Sequence, residues 1–159
     1  MLTPGAPAPD FAIPSHSDIA APTSAPTSPT TLHTLAAAQP VLAYFYPADF
    51  TPVCTKQACT MRDAIPNLPG VAIVGISPQS ADSHARFAEK HNLAFPLVAD
   101  TDKSIARAYD TLGPFGLGHR RTTYLIAQDH TIAAAARADF SLAKHKALFD
   151  RARELASSQ

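Results

Sequence analysis

Three short apolar runs constrain the fold of this chain more than any other feature. They read VLAYFY at residues 41–46, VAIVGI at 71–76 and FPLVA at 95–99. A continuous apolar run of this length is what a strand covered on both faces requires. Between the runs lie helical patterns over residues 52–65 and 81–91, with Asn92 placed to stop the second. Residues 31–39 suggest a short strand or one helical turn closed by Pro40, and Asp100 is placed to cap a short helix over residues 102–109. In the last third, TTYLIA and TIAAAA flank Gln128, Asp129 and His130, which reads as a hairpin. Ser141 is suited to cap a closing helix in which Leu142, Phe149, Ala152 and Leu155 share one face. Strands alternating with helices, then a hairpin and a last helix, predict an α/β three-layer sandwich on a mixed central sheet.

At 159 residues the chain has the length of one domain, taken as residues 1–159. Residues 15–30, SHSDIAAPTSAPTSPT, are rich in Pro, Ser, Thr and Ala and lack an apolar period, so a surface loop is expected there. The 13 basic and 13 acidic residues cancel, which argues against a nucleic-acid or anionic-membrane partner. The apolar runs are far below the roughly 18 to 20 residues that span a bilayer. Residues 1–10 show no basic start followed by an apolar run, so no secretory signal is read and a cytoplasmic location is expected. Two cysteines, Cys54 and Cys59, are too few for a disulfide-stapled scaffold, and their closeness points to chemistry or to chance.

The informative stretch is YFYPADFTPVCTKQACTMRD, residues 44–63. Pro47 ends a strand, and Thr51-Pro52 opens a helix with Thr51 as cap and Cys54 in the third position of the first turn. Unpaired amides at a helix start carry partial positive charge and favour a thiolate, and a nearby cation would strengthen the effect. The bland alternative is a small buried hydrophobe, since Cys54 shares a helical face with Ala58, Met61 and Ile65. The full string P-x-x-x-T-x-x-C at a strand-to-helix junction favours chemistry.

With both cysteines in TPVCTKQACTMRD (51–63), and with APDF (8–11), VGIS (74–77), FPLVAD (95–100) and RTTYLI (121–126), the chain resembles the peroxiredoxins. These are thiol peroxidases on a thioredoxin-like fold. The resemblance covers nearly the whole chain and points to the bacterioferritin-comigratory, or peroxiredoxin Q, subfamily, in which a second cysteine follows the first by five residues. Val53 stands where that subfamily often has Gly, Ala48 where it often has a charged residue, and residues 15–30 resemble an enlarged connection.

The resemblance implies that Cys54 is the peroxidatic nucleophile and Arg121 its cation. Neighbouring Arg120 is the competitor, and strand alternation lets only one of the two face the site. Thr51 and the Cys54 amide are then placed to stabilise the leaving oxygen, and Pro47 to pack over the thiol. Hydrogen peroxide or an alkyl hydroperoxide is the implied substrate and a thioredoxin-like protein the implied reductant. A monomer is expected by analogy, with no metal or organic cofactor. Cys59 is the implied resolving thiol, and its alternative is a bystander. Residues five apart in an ideal helix have Cα atoms roughly 8 to 9 Å apart, whereas a disulfide needs about 4.4 to 6.8 Å. A Cys54–Cys59 disulfide therefore requires the helix to unwind locally.

Other signals carry less. His84, His91, His119 and His145 show no metal-ligand spacing. Residues 113–118, GPFGLG, read as a loop near the site rather than a phosphate cradle, because no strand-to-helix pattern surrounds them. A thiol–disulfide oxidoreductase normally carries C-x-x-C, so the wider spacing argues against that class. A redox sensor or binding protein stays open as an additional role.

Overall fold

In the computed structural model, which describes residues 1–15, 28–137 and 143–158, the chain opens with two short strands. β1 (Ala12–Ile13) and β2 (Thr30–Thr31) pair antiparallel, with Ala12 opposite Thr31. α1 (Leu32–Ala38) follows at once, capped by Thr31, whose hydroxyl accepts from the Thr34 amide at 3.2 Å. The segment before Pro40 is thus mainly a seven-residue helix, with a strand only at its entry. Most of the proline-rich stretch, residues 16–27, lies outside the described residues, as do Ser141 and Leu142.

The remaining elements are β3 (Val41–Phe45), α2 (Pro52–Ala64), β4 (Ala72–Ser77), α3 (Ala81–His91), β5 (Leu97–Ala99), α4 (Ser104–Ala108), β6 (Thr122–Ile126), β7 (Ile132–Arg137) and α5 (Ala143–Ser157). The sheet runs β5-β4-β3-β6-β7. β3, β4 and β5 are parallel, while β6 and β7 are antiparallel to their neighbours, so the sheet is mixed. The α2 pattern stops one residue early, at Ala64, and Ile65–Asn67 tighten into a 3₁₀ turn at Pro66. Asn92 ends α3 in the left-handed region at φ 50°. The hairpin closes as expected: the His130 amide donates to the Ala127 carbonyl at 3.0 Å, and Asp129 accepts from the Thr131 amide.

The short helix after β5 differs from expectation. It starts at Ser104, behind Lys103 at φ 61°, and Asp100 reaches it from further back. The Asp100 carboxylate accepts from the amides of Ile105 at 3.0 Å and Ala106 at 2.8 Å. A carboxylate with two oxygens can bracket two orphan amides without standing at the cap itself.

Alternation along β3 divides the core. Leu42 and Tyr44 face Cys54 and Met61 of α2, Phe87 of α3, and Leu148 and Ala152 of α5. Val41, Ala43 and Phe45 face Leu32 and Ala36 of α1, with Ile105 of α4 at the margin. Two helical layers on one sheet give the three-layer sandwich, and α2 stands with its N-terminus at the exit of the central strand.

Candidate active site

The site is built where β3 ends. Tyr46 prolongs the strand by donating its amide to the Ile76 carbonyl at 3.1 Å, and half-buried Pro47 closes it. The chain then turns through Ala48, Asp49 and Phe50, with Phe50 at φ 60°, a conformation that a bulky residue rarely adopts. Pro52 occupies the first helical position, which suits its fixed φ and missing N–H. Cys54 therefore lies on the first turn, 1% exposed.

Thr51 stands at the cap position, but its hydroxyl does not serve the helix amides. The left-handed turn at Phe50 folds the loop back, and Thr51 Oγ1 donates to the Ala48 carbonyl at 3.2 Å. The Thr51 carbonyl carries the first helical bond, from the Thr55 amide at 2.9 Å. The capping expected of the Thr51 side chain gives way to a loop-closing hydrogen bond.

Arg121 directly precedes β6 and donates from Nη2 to Cys54 Sγ at 3.3 Å. Strand alternation puts Arg121 on the same side as Leu125, which shares the α2-facing core with Cys54. Arg120 falls on the opposite phase, its amide tied to the Thr111 carbonyl at 2.7 Å. The GPFGLG segment is a surface turn closed by bridging between Leu112 and His119, with Phe115 fully exposed at its tip.

Cys59 is half-buried on the same helix, and both thiols are free. α2 is continuous across both positions. Arg62, whose field reaches Cys59, donates to Asp63 and to the His91 carbonyl at 2.6 Å. Beneath the helix, Tyr44 is completely buried with its hydroxyl unpartnered among the described residues. Burial first, and then the nearby Asp49, Cys54 and Cys59, push its pKa well above the ordinary value. Gly75 is required there, since a Cβ would come within 2.6 Å of Leu97 Cδ2 and 2.9 Å of Tyr44 Oη. Gln57, 3% exposed and one turn beyond Cys54, leaves both side-chain amide atoms unpartnered among the described residues.

Two buried carboxylate–imidazole pairs are built from the residues just past β3 and β5, and sequence reasoning missed both. Asp49 accepts from Tyr46 Oη at 2.8 Å and Ser83 Oγ at 2.6 Å, and His84 Nδ1 lies 2.9 Å away. Burial pushes the Asp49 carboxyl up, but the hydrogen bonds from His84, Ser83 and Tyr46 outweigh it and hold the group below its ordinary value. In the second pair His119 Nε2 stands 3.1 Å from Asp100, and its Nδ1 lies 3.4 Å from the Ile76 carbonyl. Burial opposes ionisation of Asp100 too, and His119 together with the Ala106 and Ile105 amides overcomes it. His84 and His119 show no metal-ligand spacing in the sequence, and no local pattern there marks either as a carboxylate partner. The one available signal was an acidic residue placed between Pro47 and Thr51.

A buried thiol at a helix start, met by an arginine leading into an antiparallel strand of a mixed sheet, defines a thiol-centred site on a thioredoxin-like fold. The chain matches the AhpC/TSA family over residues 4–135, and it belongs to that family. A putative peroxiredoxin bcp of Coxiella burnetii is 41% identical over 102 residues, 59% of this chain and 68% of that protein. Across the first curated relatives named peroxiredoxin Bcp or peroxiredoxin Q, the chain spans 59% to 68% of their length. Among solved structures, peroxidoxin BcpB from Mycobacterium tuberculosis superposes with a TM-score of 0.79 at 28% identity, covering 99% of this chain and 98% of that one. A bacterioferritin comigratory protein of Xanthomonas campestris, described for alkyl peroxide reduction, gives a TM-score of 0.72 at 32% identity over 81% of this chain and 87% of that one.

Proposed function

We propose that the protein is a thiol-dependent peroxidase in which Cys54 is oxidised by peroxide and Cys59 resolves it. The carrying observation is the Arg121 guanidinium donating at 3.3 Å to a thiol sealed at a helix start. The deprotonated sulfur attacks the terminal oxygen of a hydroperoxide. The O–O bond breaks, its electron pair leaves on the distal oxygen, and a proton completes water or an alcohol, with sulfenic acid left on Cys54. Arg121 and the first-turn amide stabilise the charge that develops. Thr51, whose proton points to Ala48, offers a lone pair to the hydroperoxide O–H. Pro47, with no N–H, helps to wall off water.

Cys59 then attacks the Cys54 sulfur, which forms the disulfide and releases hydroxide to be protonated as water. Because α2 is intact between the two thiols, this step needs local unwinding. Alkyl hydroperoxides are substrates beside hydrogen peroxide: Phe50 and Val53, 45% and 41% exposed, give the entrance an apolar rim, and the Xanthomonas neighbour is described for such activity. The disulfide is reduced by a thioredoxin-like protein. A monomer in the cytoplasm fits a cycle confined to one helix and to a reducing compartment; no helix among the described residues is long and apolar enough to cross a membrane.

The test is the mass of the reduced protein after one equivalent of hydrogen peroxide. Wild type is expected to lose two hydrogens, and Cys59→Ser to gain one oxygen at Cys54. A Cys54→Ser protein that consumes peroxide at the wild-type rate in the presence of thioredoxin overturns the assignment. Arg121→Lys, which loses the planar fork, is expected to slow sulfenic acid formation by roughly 10- to 100-fold, while Arg120→Ala stays within about twofold. Amide hydrogen exchange checks the unwinding: residues 54–61 should lose protection on oxidation.

A further inference from the structure

The segment that delivers Cys54 is gripped from one side by a single helix. Two adjacent residues of the loop, Asp49 and Phe50, both send their side chains to α3. Asp49 meets Ser83 Oγ at 2.6 Å and His84 Nδ1 at 2.9 Å. Phe50 packs edge-on against Phe87 with centroids 5.3 Å apart, and Lys90 Nζ lies 5.8 Å from the Phe50 ring. Ser83, His84, Phe87 and Lys90 fall at helical spacing along one stripe. The platform is itself fixed: Ser80 caps α3, Phe87 is fully buried, and His84 Nε2 lies 3.3 Å from the Val98 carbonyl of β5.

The second gripped residue, Phe50, holds a left-handed backbone at φ 60° four residues before the thiol. A bulky residue stays in that conformation only where its surroundings over-determine it. Here the surroundings are Asp49 on one side and the Thr51 to Ala48 bond on the other. Release of the grip lets Phe50 relax, and the first turn of α2 relaxes with it. The same first turn must stay wound to hold Cys54 against Arg121, and must unwind for Cys59 to reach Cys54.

We propose that the α3 stripe is a clamp on the Cys54 loop, with Asp49 and His84 as positioning residues that set the division between the wound, peroxide-reactive helix and the unwound, disulfide-forming one. The clamp rests on the reading of Cys54 as the oxidised thiol and Cys59 as its resolver. It favours the first chemical step at the expense of the second. Its loss slows attack on peroxide while leaving resolution as fast or faster.

Rapid-quench experiments separate the two steps: a sulfenic-acid-selective carbon nucleophile reads oxidation of Cys54, and alkylation of the remaining thiols reads disulfide formation. In Asp49→Ala the ratio of the oxidation rate to the resolution rate is expected to fall at least tenfold. Asp49→Asn, which keeps the shape and still hydrogen-bonds once a hydroxyl partner reverses, is expected to restore it to within about threefold. Ser83→Ala, which removes one contact and folds if Asp49→Ala does not, is expected to move the ratio in the same direction by about threefold. Arg86→Ala, on the exposed side of α3, serves as control and leaves both rates unchanged. A merely structural role lowers the melting temperature without moving the ratio. Ratios within twofold of wild type in the folded Asp49→Ala and Ser83→Ala proteins refute the clamp. Peroxide consumption by Cys54→Ser refutes the underlying assignment instead, so the two failures are told apart.

Discussion

Asp49 and Asp100 are 6% and 2% exposed and each faces a histidine, one in the loop between β3 and α2 and the other directly after β5. What differs is the material around them. Asp49 is held entirely by side chains: two hydroxyls and an imidazole. Asp100 is held by two backbone amides of α4 and an imidazole. Hydroxyls can turn from donor to acceptor and a histidine can change tautomer, whereas a backbone N–H can only donate. The adaptable set holds the loop that the proposed cycle must disturb. The fixed set holds the approach to Arg121, two residues beyond His119, where nothing is required to move.

The comparison predicts unequal costs for the same chemical change. Asp100→Asn forces an amide NH₂ against a backbone N–H and removes a buried charge, and is expected to cost about 3 kcal/mol. That corresponds to a melting temperature lower by roughly 6 to 12 °C, read by calorimetry. Asp49→Asn, whose hydroxyl partners can reverse, is expected to cost about 1 to 2 kcal/mol; equal losses at the two positions would break the contrast. Acid sharpens it further. Both carboxyls titrate below their ordinary value in the folded state, so their stabilisation is complete above the unfolded pKa and is lost as pH falls through the folded one. Wild type should therefore lose stability steeply below about pH 4, and each Asp→Asn variant less steeply. The smallest effect is Ser83→Ala, at about 1 kcal/mol in urea unfolding, because only one of three side-chain partners is removed.

How much of this was legible in the sequence depends on how far each interaction reaches along the chain. The first two strand runs and the thiol at the helix start are local patterns that stand within a residue of where the spacing put them, whereas of FPLVA only Leu97–Ala99 forms a strand. The side of the sheet that Arg121 faces follows from period-two alternation once the strand is known. The Asp49 pairing joins residues 34 and 35 positions apart, which no local period encodes. Asp100 stands further from the helix than the cap position predicted for it, because Lys103 enters the left-handed region and the helix starts only at Ser104. Thr51 takes the cap position its sequence context predicts, and the turn at Phe50, a conformation that composition does not announce, directs its hydroxyl to the Ala48 carbonyl.

The placement of both thiols on one 13-residue helix has an optical consequence. The chain contains no tryptophan, so the usual fluorescence handle on thiol oxidation is missing. A disulfide that closes only when several residues leave the helix instead writes the redox state into the far-ultraviolet circular dichroism. Titrated with peroxide, the reduced protein should lose ellipticity at 222 nm in step with the loss of free thiol, and recover it when reductant is added. The proposed cycle would in that sense make the molecule its own unlabelled redox gauge.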